Sequence, residues 1–232
     1  MRKLKTMLKK NRYIKQYLNS PKLRVRLSLL GSVSINILYT VMQLVSGIYF
    51  HELWFYALAA YYILLIVMRL LLLRDTAKVD VPGKNRLKEF YRYRFCGIVM
   101  LLMNQALAII VFYVVRQNRG FEYHYIHTIG MAAYTFTAMV VAMINVVRYR
   151  RFESPLMSAA KALSLVSAVV SLFTLETAMI SVFGENDGPL FRQIMTASTG
   201  GAVCIFVLAV AVYMIFHSSR EIKNLKDKNQ NI

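Results

Sequence analysis

Two apolar runs separated by two residues restrict this chain more than any other feature. Leu27 to Arg74 reads LSLLGSVSINILYTVMQLVSGIYF, then His51-Glu52, then LWFYALAAYYILLIVMRLLLLR. Each run supplies the roughly 20 residues that a helix needs to cross a hydrocarbon core of about 30 Å, and a helix satisfies its own backbone there. The pair is therefore expected to be a hairpin that crosses the membrane and returns. Four further runs follow, Tyr93 to Val115, Tyr125 to Val147, Met157 to Phe183 and Phe191 to Phe216. The expected fold is an all-α integral membrane protein of six transmembrane helices, arranged as three hairpins.

Charge supports the same reading. The chain is 57% hydrophobic and has 29 Lys or Arg against 11 Asp or Glu, a net charge of +18, which excludes an ordinary soluble domain. The cations are also segregated. Segments 1–26, 74–94, 148–161 and 217–232 carry ten, seven, four and four Lys or Arg, whereas 51–52, 116–127 and 184–192 carry none, two and one. The positive-inside rule then expects both termini to be cytoplasmic.

Segment 1–20 places Leu4, Met7, Leu8, Ile14, Tyr17 and Leu18 at helical spacing among cations. It is expected to be a basic amphipathic helix lying on anionic membrane lipids, and nucleic acid is the reading set aside. It has no apolar core of signal-peptide type, so no cleaved leader is expected. Ser20-Pro21 and Ser154-Pro155 both read as an N-cap followed by proline in the first helical position. The expected organisation is a basic interfacial segment over 1–26, a six-helix transmembrane domain over 27–217 and a short polar cytoplasmic tail over 218–232. Compact loops and the lack of targeting segments point to a plasma membrane of bacterial type.

Polar residues inside the spans are the candidates for function. In the first span Ser32, Asn36, Tyr39, Thr40, Gln43, Ser46 and Gly47 recur at intervals of three and four, a stripe that must face protein or water. An internal repeat places Gln43, Gln105 and Glu176 each seven residues before a Phe, at Phe50, Phe112 and Phe183. Glu176 stands out, because a carboxylate within a span must be protonated, paired or wet, and such a group can release and rebind a proton. Arg69 lies five residues before Arg74 and is expected to snorkel to phosphate. Ser164, Ser167 and Ser171 with Ala160, Ala168 and Ala178, and Ser198-Thr199-Gly200-Gly201, suggest close packing of the fifth and sixth spans on each other or on a second subunit. Gly200-Gly201 has an alternative reading, an unwound segment offering carbonyls to an ion. Cys96 and Cys204 lack a metal-ligand partner and read as small packing residues without a disulfide.

His124 and His127, three residues apart at the outer start of the fourth span, are joined on the outer side by Glu122, His51-Glu52, Glu185 and Asp187. No catalytic motif accompanies them, so neither enzyme activity, cofactor nor metal is expected.

Ser34-Ile35-Asn36, Ser46-Gly47 and an arginine at the end of the second span make the first hairpin similar to the opening hairpin of the cation diffusion facilitators. Six spans with both termini inside, a Ser-led fifth span after a basic loop and a last span running on from Gly201 to Leu225 extend the resemblance over about residues 25 to 225. It implies a membrane transporter that works as a homodimer. In that family Asp and His four residues apart in the second and fifth spans bind metal, and the matching windows here, Leu58 to Tyr62 and Ala160 to Ala168, contain no Asp, Glu or His. No metal ligand carries over, and the cytoplasmic metal-binding domain is not expected either.

The leading expectation is passage of a small solute or ion across the membrane, with Asn36, Gln43, Gln105 and Glu176 lining the route and Glu176 coupling it to protons. The alternative is a non-transporting membrane scaffold or accessory subunit, whose polar side chains serve only to join helices.

Overall fold

The computed structural model describes residues 21–78, 86–117, 125–149, 154–183 and 188–230. The described residues form six helices: α1 Pro21–Phe50, α2 Leu53–Lys78, α3 Arg86–Gln117, α4 Tyr125–Tyr149, α5 Pro155–Phe183 and α6 Pro189–Gln230. Every one is long and apolar enough to cross a membrane. The protein is therefore an all-helical, multi-pass membrane protein. The expected amphipathic segment over 1–20 and His124 lie outside the described residues.

Large apolar side chains point outward on all six helices, among them Leu38, Ile63, Leu102, Ile126, Leu172 and Phe216. In water such a surface would be an aggregation hazard, while in lipid it is the solvent-facing side. Inside, α5 is the central element. Its apolar segment is 56% buried against 28% for α6, and it touches α2, α3, α4 and α6.

The helices do not pair as three consecutive hairpins. α1 packs along α2, but α3 packs along α6 and α4 along α5. Small residues account for the second of these pairings. A Cβ on Gly97 would come within 3.2 Å of the Ala211 carbonyl and 3.1 Å of Met214, so glycine there lets α3 and α6 approach backbone to backbone. Gly200 does the same about three to four turns further along, where a Cβ would meet Val111 at 2.6 Å and the Phe173 ring at 3.2 Å. α6 is continuous through Gly200-Gly201, so close packing holds here and the unwound alternative does not. It also runs unbroken past residue 217 to Gln230, with Ser218 and Ile222 buried.

The turn between α1 and α2 is as short as the sequence requires, and His51 makes it by adopting a left-handed conformation, φ 55°. At the start of α5 the Ser154 carbonyl accepts the Met157 and Ser158 N–H groups, as an N-cap carbonyl does. Its hydroxyl is used differently from a cap: it donates to Glu89 Oε2 of α3 at 2.6 Å. That bond ties α5 to the beginning of α3, where Arg92 also pairs with Asp75 of α2 at 3.1 Å.

Candidate functional site

The polar stripe of α1 is buried along its whole length. Ser32, Asn36, Tyr39, Thr40, Gln43 and Ser46 are each at most 6% exposed, facing the space enclosed by α2, α4 and α5. From Ser32 to Ser46 the stripe covers about 21 Å at 1.5 Å per residue, most of the thickness of a hydrocarbon core.

Neighbouring helices meet the stripe at each level. At one end Arg69 of α2 donates to Ser32 Oγ and, at 3.4 Å, to the Leu163 carbonyl of α5. One turn along, the Tyr134 hydroxyl of α4 donates to Asn36 Oδ1 at 2.9 Å and receives the Ser167 hydroxyl of α5 at 3.2 Å. Thr174 gives its proton to the Ser171 carbonyl, so it accepts from Tyr39 at 3.3 Å. At the far end Ser46 Oγ and His127 Nδ1 of α4 are 2.8 Å apart. A side branch joins Asn145 Nδ2 to Ser164 Oγ at 2.9 Å. Bonds across helices in this number hold four elements in one register.

Two features of this polar file are not explained by joining helices. The first is unmet hydrogen-bonding capacity. Gln43 is completely buried with the Tyr39 hydroxyl beside it but neither amide atom in good hydrogen-bond geometry, and Asn36 Nδ2 also lacks an acceptor. Leaving such a group unmatched costs about 1–3 kcal/mol. The second is a cavity of about 10 Å³ between Ser32, Asn36, Arg69, Ser164 and Ser167, room for a single water with several polar partners. Beside it the rings of Tyr39 and Tyr134 stack with centroids 3.8 Å apart, and Tyr62 of α2 meets Tyr39 edge-on at 4.7 Å. The file thus contains hydroxyls, amides, one guanidinium and one imidazole, and no carboxylate. It can exchange hydrogen bonds with a small polar species.

The four residues expected to line one route are not brought together. Asn36 and Gln43 belong to the file. Gln105 is exposed on α3, whose neighbours are α6, α5 and α2, and it is the preceding Asn104 that is buried, with Oδ1 unmatched. Glu176 is half-buried on the side of α5 facing α6, with Thr199 as its hydrogen-bonding neighbour and Oε1 buried without a partner. The three repeat positions therefore have three different surroundings. Arg69 is corrected as well: at 3% exposure it points into the bundle and does not snorkel.

Residues that pattern reading passed over complete the site. Tyr134 and Asn145 lie in the otherwise apolar α4, where His127, read only as an outer imidazole, proves to face Ser46, and Glu89 hides in a basic stretch at the start of α3. A lone Asn or Tyr in a span was the available signal, since lipid cannot satisfy either. Among the described residues no three His, Cys, Asp or Glu gather as a metal would require, and both cysteines are free. The chain matches no protein-family model, no curated protein and no solved structure.

Proposed function

We propose that the protein passes a small polar solute or ion across the membrane by way of the buried file on α1. The observation that carries this reading is the Gln43 amide, fully buried with neither atom in good hydrogen-bond geometry, together with Asn36 Nδ2. An apolar side chain at position 43 would be cheaper to bury, so a retained amide is best accounted for by a species that binds it in transit. In this reading the structure is an occluded state: the cavity in the file admits one water, and passage requires the helices around Tyr39, Tyr62 and Tyr134 to part. Glu176, at the α5–α6 contact and outside the file, couples the movement of α6 to protonation. The excess of cations in the segments at one end supports cytoplasmic termini, and the compact loops support a plasma membrane of bacterial type.

A second reading has its own support. Most of the stripe is hydrogen-bonded to other helices, which is what a scaffold or accessory subunit would use it for, at about 0.6 kcal/mol per bond. Flux measured in proteoliposomes separates the two. Protons, monovalent cations and divalent metals are tested in parallel for the native chain, Gln43→Met and Glu176→Gln. Transport that is lost with Gln43→Met and loses its proton dependence with Glu176→Gln is expected. Folded protein without flux for any of them establishes the scaffold reading.

A further inference from the structure

A second and much larger space lies away from the polar file. α5 and α6 meet where Gly200 rests on Phe173 and part toward the opposite end, leaving a cleft of about 680 Å³ between α3 and α6 on one side and α4 and α5 on the other. On α6 the wall runs from Phe206 to His217, about 16 Å of helix, half the hydrocarbon thickness. That is the depth of one leaflet. Leu165, Phe206 and Val210 line its deeper part, and Phe206 and Tyr213 are exposed at its lip, so it opens sideways at the level of lipid tails.

Its polar part is at the shallow end, where Ser158 and Lys161 project from one face of α5, three residues apart. Lys161 is half-buried and forms no ion pair among the described residues. Among the described residues Glu89 is an acid at this end, and it is buried and takes the Ser154 hydroxyl at 2.6 Å. The remaining titratable neighbours are Tyr93, Tyr213 and His217, with His217 stacked on Tyr213 at 5.6 Å. A cation at the head of an apolar cleft one leaflet deep has the shape and charge of a lipid site. It complements an anionic headgroup joined to a hydrocarbon chain.

We propose that the cleft holds an anionic phospholipid, its phosphate on Lys161 and one acyl chain along Leu165, Phe206 and Val210. The site is separate from the polar file and independent of whether the protein transports. A lipid lodged there packs into the wedge between α5 and α6, so its occupancy sets how far the two helices can close.

Native mass spectrometry of the full chain, titrated in detergent with dioleoyl phosphatidylglycerol and with dioleoyl phosphatidylcholine, tests this. Phosphatidylglycerol is expected to remain bound preferentially. Lys161→Gln should lower its apparent affinity about fivefold, the worth of one cation at a lipid surface, with Lys161→Arg restoring it and phosphatidylcholine, whose choline cation offsets its phosphate, changing less. Val210→Trp, which fills the cleft without touching the cation, should reduce retention of both lipids. Equal binding of the two lipids, or unchanged phosphatidylglycerol affinity in Lys161→Gln, overturns the proposal. So does a photo-crosslinker at position 210 that captures residues 1–20 or a second copy of the chain in place of lipid.

Discussion

Gln43→Met distinguishes a binding group from interhelical glue by the sign of its effect on stability. Both side chains are unbranched and of similar length, so the substitution removes the amide and largely keeps the volume. Gln43 is fully buried with neither amide atom in good hydrogen-bond geometry, and its polar neighbour one turn earlier, Tyr39, gives its proton to Thr174 at 3.3 Å, leaving only its oxygen to face the amide. Relieving an unmatched buried group returns about 1–3 kcal/mol, and counting the amide as one group gives a gain in that range for Gln43→Met. Were the amide instead joining helices, its loss would destabilise by about 0.6 kcal/mol, at most about 1.7. Reversible unfolding in mixed micelles, followed by circular dichroism as SDS is added, resolves a difference of this size and sign. Stabilisation by about 1 kcal/mol or more together with lost flux is the expected pair of results. Destabilisation by 0.5 kcal/mol or more, on the scale of such interhelical bonds, would refute the reasoning, because it would mean that Gln43 is bonded in the membrane.

The same unfolding assay checks three structural inferences. Gly200→Ala puts a methyl 2.6 Å from Val111 Cγ1, a branched side chain with little rotamer freedom in a helix, so α6 must shift and about 1–3 kcal/mol is lost; a neutral result would mean that α3 and α6 are further apart. His51→Gly removes a side chain from a left-handed position at φ 55° and should stabilise by about 0.5–1 kcal/mol after the added entropy of the unfolded chain. Ser154→Ala deletes the 2.6 Å bond to the Glu89 carboxylate and should cost about 1.5–3 kcal/mol, most of it recovered by Ser154→Thr.

Six helices and their approximate ends were readable because a span has a length scale set by the bilayer, and because Pro21, Pro155 and the His51-Glu52 turn mark boundaries by chemistry. Their partnering was not. Apolar surface is indifferent between lipid and another helix, so hydropathy does not say that α3 lies along α6 and away from α4. What decides it is where backbones can touch, and Gly97 and Gly200 become informative only once Ala211 and Val111 are known to face them. The Gln/Glu-to-Phe repeat failed for a related reason. It matched spacing along each helix, whereas Gln43, Gln105 and Glu176 differ in which way each helix is turned.

The site itself was half legible, and the missing half follows from how hydrogen-bonded bundles are built. The stripe from Ser32 to Ser46 shows as a stripe because one helix carries all of it at helical spacing. Its partners cannot show that way. Arg69 on α2, and Tyr134, Asn145 and His127 spread along α4, reach the file singly, so none of their helices carries a polar stripe. A polar stripe in every span is therefore the wrong signature to require of a buried path. One striped helix, with isolated long polar side chains in the spans around it, encloses the same file at a far lower cost in desolvated groups, and Arg69 illustrates the price of missing this. Read alone, it belongs at the phosphates; read as the complement of a Ser32 that faces inward, it belongs where it is found, beside the one-water cavity at the end of the file.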